Sequence, residues 1–172
     1  MKIILSILAV TISILPVFCQ QKFSVGVDAF SIYSQTKNIN KQNLFKKDLG
    51  IQVGFRKNIN NDNFLTLSIG ATKSNESIYS MQRVKFGYEV GNLFNIKSWF
   101  IITELSLNNF RHTNTRVNKF TIAPSLGMGF NIKVIDNLLL RVCNNVEYQL
   151  PNSIGSFFNN TNVGFHYTFT KK

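Results

Sequence analysis

Cysteine, proline and histidine are nearly missing from this chain of 172 residues, which has two cysteines, three prolines and two histidines. Cys19 falls in the N-terminal segment and only Cys143 follows it, so no internal disulfide framework is available to the rest of the chain. A lone cysteine of this kind is more often a small, partly buried filler than a reactive thiol. No group of His, Cys, Asp and Glu has ligand spacing, so neither metal nor other cofactor is expected. Acid is also short, with eight Asp and Glu against nineteen Lys and Arg and a formal net charge of +11. Long hydrophobic runs are absent. The one apolar stretch, Ile3 to Leu15, is interrupted by Ser6, Thr11 and Ser13 and ends at Pro16. A helix crossing a bilayer needs ~20 apolar residues. After residue 20 no segment keeps a helical period.

What the first residues do have is a short positive start at Met1-Lys2, the apolar run, the break at Pro16, and then Val17-Phe18-Cys19. This is the pattern of a cleaved secretory signal, with 1–19 as the signal peptide and 20–172 as one mature domain. Cys19 also stands where bacterial lipoproteins are lipidated, although Phe18 is larger than the residue such a site normally carries. An exported basic protein meets phosphorylated glycolipid or anionic polysaccharide first, so those are the expected partners and nucleic acid is not.

The mature chain shows two-residue alternation eight times, over about 22–33, 48–56, 64–72, 79–90, 99–107, 120–132, 138–148 and 161–169. One face of these strands is apolar and carries no charge, as in Phe23, Val25, Val27, Ala29 or Leu65, Leu67, Ile69, Ala71. The other face is small or polar and takes eight of the ten glycines, among them Gly26, Gly54, Gly127 and Gly164. A soluble lipocalin-like barrel would turn the apolar face inward and show charge to water. Glycine-rich strands make poor solvent surfaces, and an eight-stranded membrane barrel inverts the arrangement, with apolar residues towards lipid and small or paired polar residues in a narrow lumen. One charge facing the midplane of the bilayer would cost ~2–4 kcal/mol, which accounts for the clean apolar face. The expected fold is therefore all-β: an eight-stranded antiparallel up-and-down transmembrane β-barrel.

With both termini in the periplasm, the outward connections fall at about 34–47, 73–78, 108–119 and 149–160, and the inward turns at 57–63, 91–98 and 133–137. Three of the four outward connections are then long, as in outer-membrane barrels. Phe23, Phe55, Tyr88, Trp99, Phe130, Tyr167 and Phe169 gather at the periplasmic strand ends, and Tyr33, Phe120 and Tyr148 at the outer ends. Two such girdles suit rings that prefer the lipid–water interface. Pro124 sits mid-strand, where a local bulge is expected to accommodate it.

Eight such strands, the signal segment and the closing Asn162-Val163-Gly164-Phe165-His166-Tyr167-Thr168-Phe169 make the chain resemble the OmpA/OmpX-like small outer-membrane barrels. The resemblance implies a bacterial outer-membrane location. It also implies contact with outer-membrane lipid and lipopolysaccharide, and handling by the barrel-assembly machinery, which reads a terminal aromatic such as Phe169.

Two groups of residues could carry function. Inward-facing charges are Asp28, Asp48, Arg56, Arg83, Lys85, Glu89, Glu104, Arg141 and Glu147. Pairing Val90 with Trp99 puts Lys85 opposite Glu104, with Asp28 and Arg141 at a similar depth. Asp28, Lys85, Glu104, Arg141 and Glu147 form the candidate lumen network. It is either a gated ion path or, the favoured reading, a salt-bridge filling in which buried charges are paired because unpaired ones are not tolerated. The outward loops carry Lys37, Lys41, Lys46 and Lys47, then Arg111, Arg116 and Lys119. These either clamp phosphates or an acidic extracellular ligand, or are simply solvated. His112 and His166 have no base–nucleophile arrangement around them, so an enzyme is not expected. The leading expectation is a non-enzymatic barrel serving envelope structure, adhesion or ligand contact through basic loops. A narrow pore, a lipid A-modifying enzyme and a soluble barrel are the alternatives.

Overall fold

A computed structural model describes residues 23–34, 48–60, 62–72, 79–112, 118–150 and 157–169. Its strands are β1 (Phe23–Ser34), β2 (Asp48–Asn60), β3 (Asn63–Thr72), β4 (Tyr79–Leu93), β5 (Ile96–His112), β6 (Asn118–Ile135), β7 (Leu138–Tyr148) and β8 (Phe157–Phe169). Each pairs antiparallel with its sequence neighbours, and β8 returns to β1 to close the barrel. Closure leaves no sheet edge, which the hydrocarbon interior of a membrane demands. Residues 1–19 and Cys19 lie outside the described residues.

The apolar face points outward. Val27, Leu49, Leu65, Phe86, Leu105, Leu126, Val146 and Phe165 are all exposed, while Ser24, Asp28, Gln52, Arg83 and Asn145 on the opposite face are buried. That sidedness would be untenable in water and is what a transmembrane barrel requires. Charges on the outward face, Lys57 and Arg111, sit near strand ends.

The register gives the shape of the barrel. From Trp99, partners run through Phe130, Val142, Val163, Ala29, Ile51, Ala71 and Gln82 and return to β5 at Asn109. One circuit thus climbs from residue 99 to residue 109. Ten residues of stagger over eight strands correspond to a strand tilt of roughly 40° and a lumen just wide enough for side chains.

Several strands are longer than alternation alone suggests. The 91–98 turn contracts to Phe94 and Asn95, helped by positive φ at Asn92 (54°), Phe94 (54°) and Asn95 (64°). Asparagine tolerates this region better than most residues. The third loop-end connection contracts from 108–119 to 113–117, so Arg111 belongs to β5 and Lys119 to β6. Polar residues extend these strands because each is laddered to a neighbour whatever its polarity. The long connections at this end are therefore the first and the fourth.

Pro124 is accommodated without a bulge. Ile122 and Leu150 exchange both backbone hydrogen bonds, at 2.8 and 2.9 Å, and Ser125 pairs with Glu147 in the same register. Alternation places the missing N–H of Pro124 towards β7, where the ladder lapses beside Tyr148 and Gln149 and then resumes. On its other side Pro124 still pairs with Leu105.

Aromatic contacts mark both rims. Phe23 stacks on Phe169 at 4.7 Å and Trp99 lies 6.4 Å from Phe130 at the turn end, while Tyr148 meets Phe157 at 5.0 Å at the loop end.

Candidate functional site

The lumen is filled in three tiers. At the turn end a cavity of about 390 Å³ opens among Ser24, Asn58, Asn131 and Thr168, with Arg56 and Glu89 in its wall. Glu89 is shared by two guanidinium groups: Arg56 pairs with it, and Arg141 donates Nη2 to its Oε2 at 2.6 Å. Each arginine also lies over a ring, Arg56 over Phe64 at 4.1 Å and Arg141 over Phe100 at 3.7 Å.

In the middle tier, Lys85 Nζ meets Glu104 Oε2 at 3.0 Å and Glu147 Oε1 at 2.5 Å. Arg83 reaches Glu147 at 3.5 Å, donates to Gln52 Oε1 at 2.7 Å, and lies over Phe30. Asp28 accepts from Gln52 Nε2 at 2.9 Å and sits 2.8 Å from His166 Nε2. Asn145 and Gln149 tie Glu104 and Glu147 to the wall. Towards the loop end the lumen is closed by Phe30, Ile32, Met81, Phe110 and Phe158, each no more than 1% exposed.

These contacts match in charge. Asp28, Glu89, Glu104 and Glu147 face Arg56, Arg83, Lys85 and Arg141, four against four. Matching is what makes the burial tolerable, because one uncompensated charge here would cost several kcal/mol.

The glycines supply the room. A Cβ on Gly26 would stand 2.3 Å from the His166 ring, and one on Gly164 would stand 2.2 Å from Asp28 Oδ1. On an alternating strand these two positions read as filler; in the barrel they form the cradle of the Asp28–His166 pair.

Of the five lumen residues named from sequence, Asp28, Lys85, Glu104 and Glu147 share the middle tier and Arg141 lies in the turn-end tier, and the register differs from the one expected. Lys85 pairs with Ser106 and Glu104 with Gly87. Leu93↔Ile96 fits the simple hairpin count, and the shift between Gly91 and Leu93 then displaces everything beyond it by two residues. The two extra residues lie on β5, where Lys97, Ser98 and Trp99 oppose the single Asn92 of β4, which has a positive φ. Lys85 and Glu104 still meet because their long side chains span the offset. Asp28 and Arg141 both pair with Gly164, but from opposite sides, so the tilt sets Asp28 roughly 6 Å nearer the loop end than Arg141, which turns to Glu89 instead. Sequence reasoning did not identify the shared carboxylate of Glu89 as the hub, nor the Gln52, Asn145 and Gln149 links. Alternation places these residues inward, but their partners follow from the stagger.

Of the basic loop residues, Lys37, Lys41, Lys46, Lys47 and Arg116 lie outside the described residues. Arg111 is exposed at the end of β5, and Lys119 is half-buried on β6, opposite Phe110. His166 Nδ1 has no hydrogen-bond partner among the described residues, so no hydroxyl or thiol is aligned with that histidine. Cys143 is buried against Phe100 and Ile102.

No family model and no curated protein matches the sequence. Solved structures do match. Neisserial surface protein A superposes with a TM-score of 0.63 at 17% identity, over 86% of this chain and 97% of that one. The N-terminal β-barrel domain of Pseudomonas aeruginosa OprF gives 0.56 at 15% identity over 85% and 97%. Ail of Yersinia pestis, solved with the heparin analogue sucrose octasulfate, gives 0.54 at 15% identity over 87% and 97%. The chain has the fold of the small eight-stranded transmembrane barrels of bacterial outer membranes.

Proposed function

We propose that this protein is a non-enzymatic outer-membrane barrel whose loop-end rim contacts anionic groups, namely lipopolysaccharide phosphates or an acidic extracellular polymer. In this reading the signal peptide 1–19 exports the chain, the termini stay periplasmic, and the rim faces outward. The observation that carries it is the partition of charge. The described lumen holds four acids against four bases, so the excess of +11 belongs to the rest of the chain. At the loop end the sequence carries Lys37, Lys41, Lys46, Lys47, Lys73, Arg111, Arg116 and Lys119 against Asp48 and Glu76. Unmatched cations on a rim attract polyanions over a Debye length of about 8–10 Å. That Ail was solved with a polysulfated sugar supports the idea that a barrel of this fold can hold such a ligand. The aromatic and aliphatic closure of the loop-end lumen weighs against a pore.

The test uses the whole protein refolded in neutral phosphatidylcholine vesicles, with a fluorescent polysulfated oligosaccharide as probe. Binding should weaken severalfold between about 0.05 and about 0.5 M salt. It should weaken again in a Lys46→Ala/Lys47→Ala/Arg111→Ala variant. Affinity indifferent to both changes would overturn the proposal.

A further inference from the structure

One sector of the outer wall departs from the rest. On β1, β8 and β7 the outward positions include Ser31, Thr161, Asn159 and Asn144, where the opposite wall carries residues such as Leu65, Ile69 and Phe86. Thr161 is paired with Ser31 on one side and with Asn144 on the other, so the polar residues are contiguous. Asn144 Nδ2 donates to Asn159 Oδ1 at 2.7 Å and to Thr161 Oγ1 at 2.9 Å, on the exposed surface. Asn144 Oδ1 and Asn159 Nδ2 take no part in these bonds, leaving acceptor and donor capacity in the cluster among the described residues.

The depth of this cluster follows from the register. Val142 lies two strands round from Trp99 along the pairing direction, and Asn144 is two residues further up β7. At about 3.3 Å per residue and a tilt of about 40°, Asn144 sits roughly 11 Å above the Trp99 level, Thr161 roughly 14 Å, and Asn159, paired with Tyr33, roughly 19 Å. The apolar belt of such a barrel is ~25 Å tall. The cluster therefore runs from mid-membrane towards the loop-end side of the belt, within the span where acyl chains offer neither donor nor acceptor.

Directly below it on the wall the side chains are short. Val27, Ala29, Val142 and Val163 are of the kind that lets two membrane-embedded surfaces approach closely, and the larger Phe165 stands on their turn-end side. We infer that this β1–β8–β7 sector is a homodimer interface within the membrane, sealed by amide hydrogen bonds between Asn144 and Asn159 of two copies. A second copy fits for two reasons. Copies inserted in the same orientation bring like heights together about a two-fold axis along the membrane normal. Each asparagine amide also carries both a donor and an acceptor, so it complements itself.

The experiment reconstitutes donor- and acceptor-labelled full-length protein in vesicles over a range of protein-to-lipid ratios. Energy transfer should exceed random proximity, and an Asn144→Val/Asn159→Val variant should need on the order of tenfold more protein per lipid to reach the same transfer. Valine suits a lipid-facing strand, and heat-modifiable gel migration checks that the variant still folds. In otherwise wild-type chain, Thr161→Cys should cross-link to a second copy while Phe86→Cys, on the opposite wall, should not. The inference is overturned if transfer matches random proximity, including the case where native membranes yield only complexes with a different protein. It is equally overturned if the double variant associates like wild type or both cysteines cross-link alike.

Discussion

The lumen and the loop-end rim are both rich in charge, and they treat it in opposite ways. Inside, each of the eight Asp, Glu, Lys and Arg side chains in the network has an ionic or charge-assisted partner, and several arginines also cover aromatic rings. At the rim, Arg111 is exposed at the last turn of its strand, in a part of the sequence where cations outnumber acids. Charge buried at low dielectric must be neutralised on the spot, whereas charge in water needs no local partner. The same residue types therefore hold the fold together in one region and, in the proposed function, meet a ligand in the other.

The strongest way to break this comparison is to unbalance the lumen. Glu89→Ala leaves Arg56 and Arg141 buried beside each other without their shared carboxylate, and should cost ~3–5 kcal/mol. Denaturant unfolding in detergent micelles measures this. A loss below ~1 kcal/mol would mean that the lumen is wet enough to screen these charges. A smaller effect is expected from Gly164→Ala, because the new Cβ meets Asp28 Oδ1 and nearby backbone. Overpacking of this kind should cost ~1–3 kcal/mol and loosen the Asp28–His166 contact. Histidine NMR shifts would follow that loosening directly. At the bottom of the scale stands Arg111→Ala, expected to leave stability within ~0.5 kcal/mol while lowering polyanion binding. If it destabilised the barrel as much as the glycine change, the rim would be structural after all and the contrast would collapse.

Much of the fold was legible because alternation, charge and glycine all gave the same message. A charge-free face on every strand, with glycines opposite, has one comfortable arrangement in eight strands. Register was less legible. The expected pairing of Val90 with Trp99 was off by two residues, because β5 inserts two extra residues opposite Asn92, an irregularity that no periodicity reveals. Pro124 misled for a related reason: losing a donor can be met by a lapse in one ladder as well as by an inserted residue. The third loop read as long because its flanks are polar, yet Asn108, Asn109 and Asn118 are laddered like any other strand residues.

The polar cluster on the outer wall was hidden differently. Asn144 and Thr161 sit among valines on strands whose average is apolar, and residues 157–160 read as loop. Only their contiguity across β1, β8 and β7, and their depth, turn scattered substitutions into a surface.

By itself, then, the sequence determined sidedness: which side chains meet lipid and which meet one another, since a two-residue period allows no third choice. The tertiary structure decided the partners. Asp28 and His166 are 138 residues apart, and Arg83 and Asn162 are 79 apart. They meet because the strands close with a stagger of ten residues, and that stagger belongs to the whole ring of strands and to no single segment of the chain.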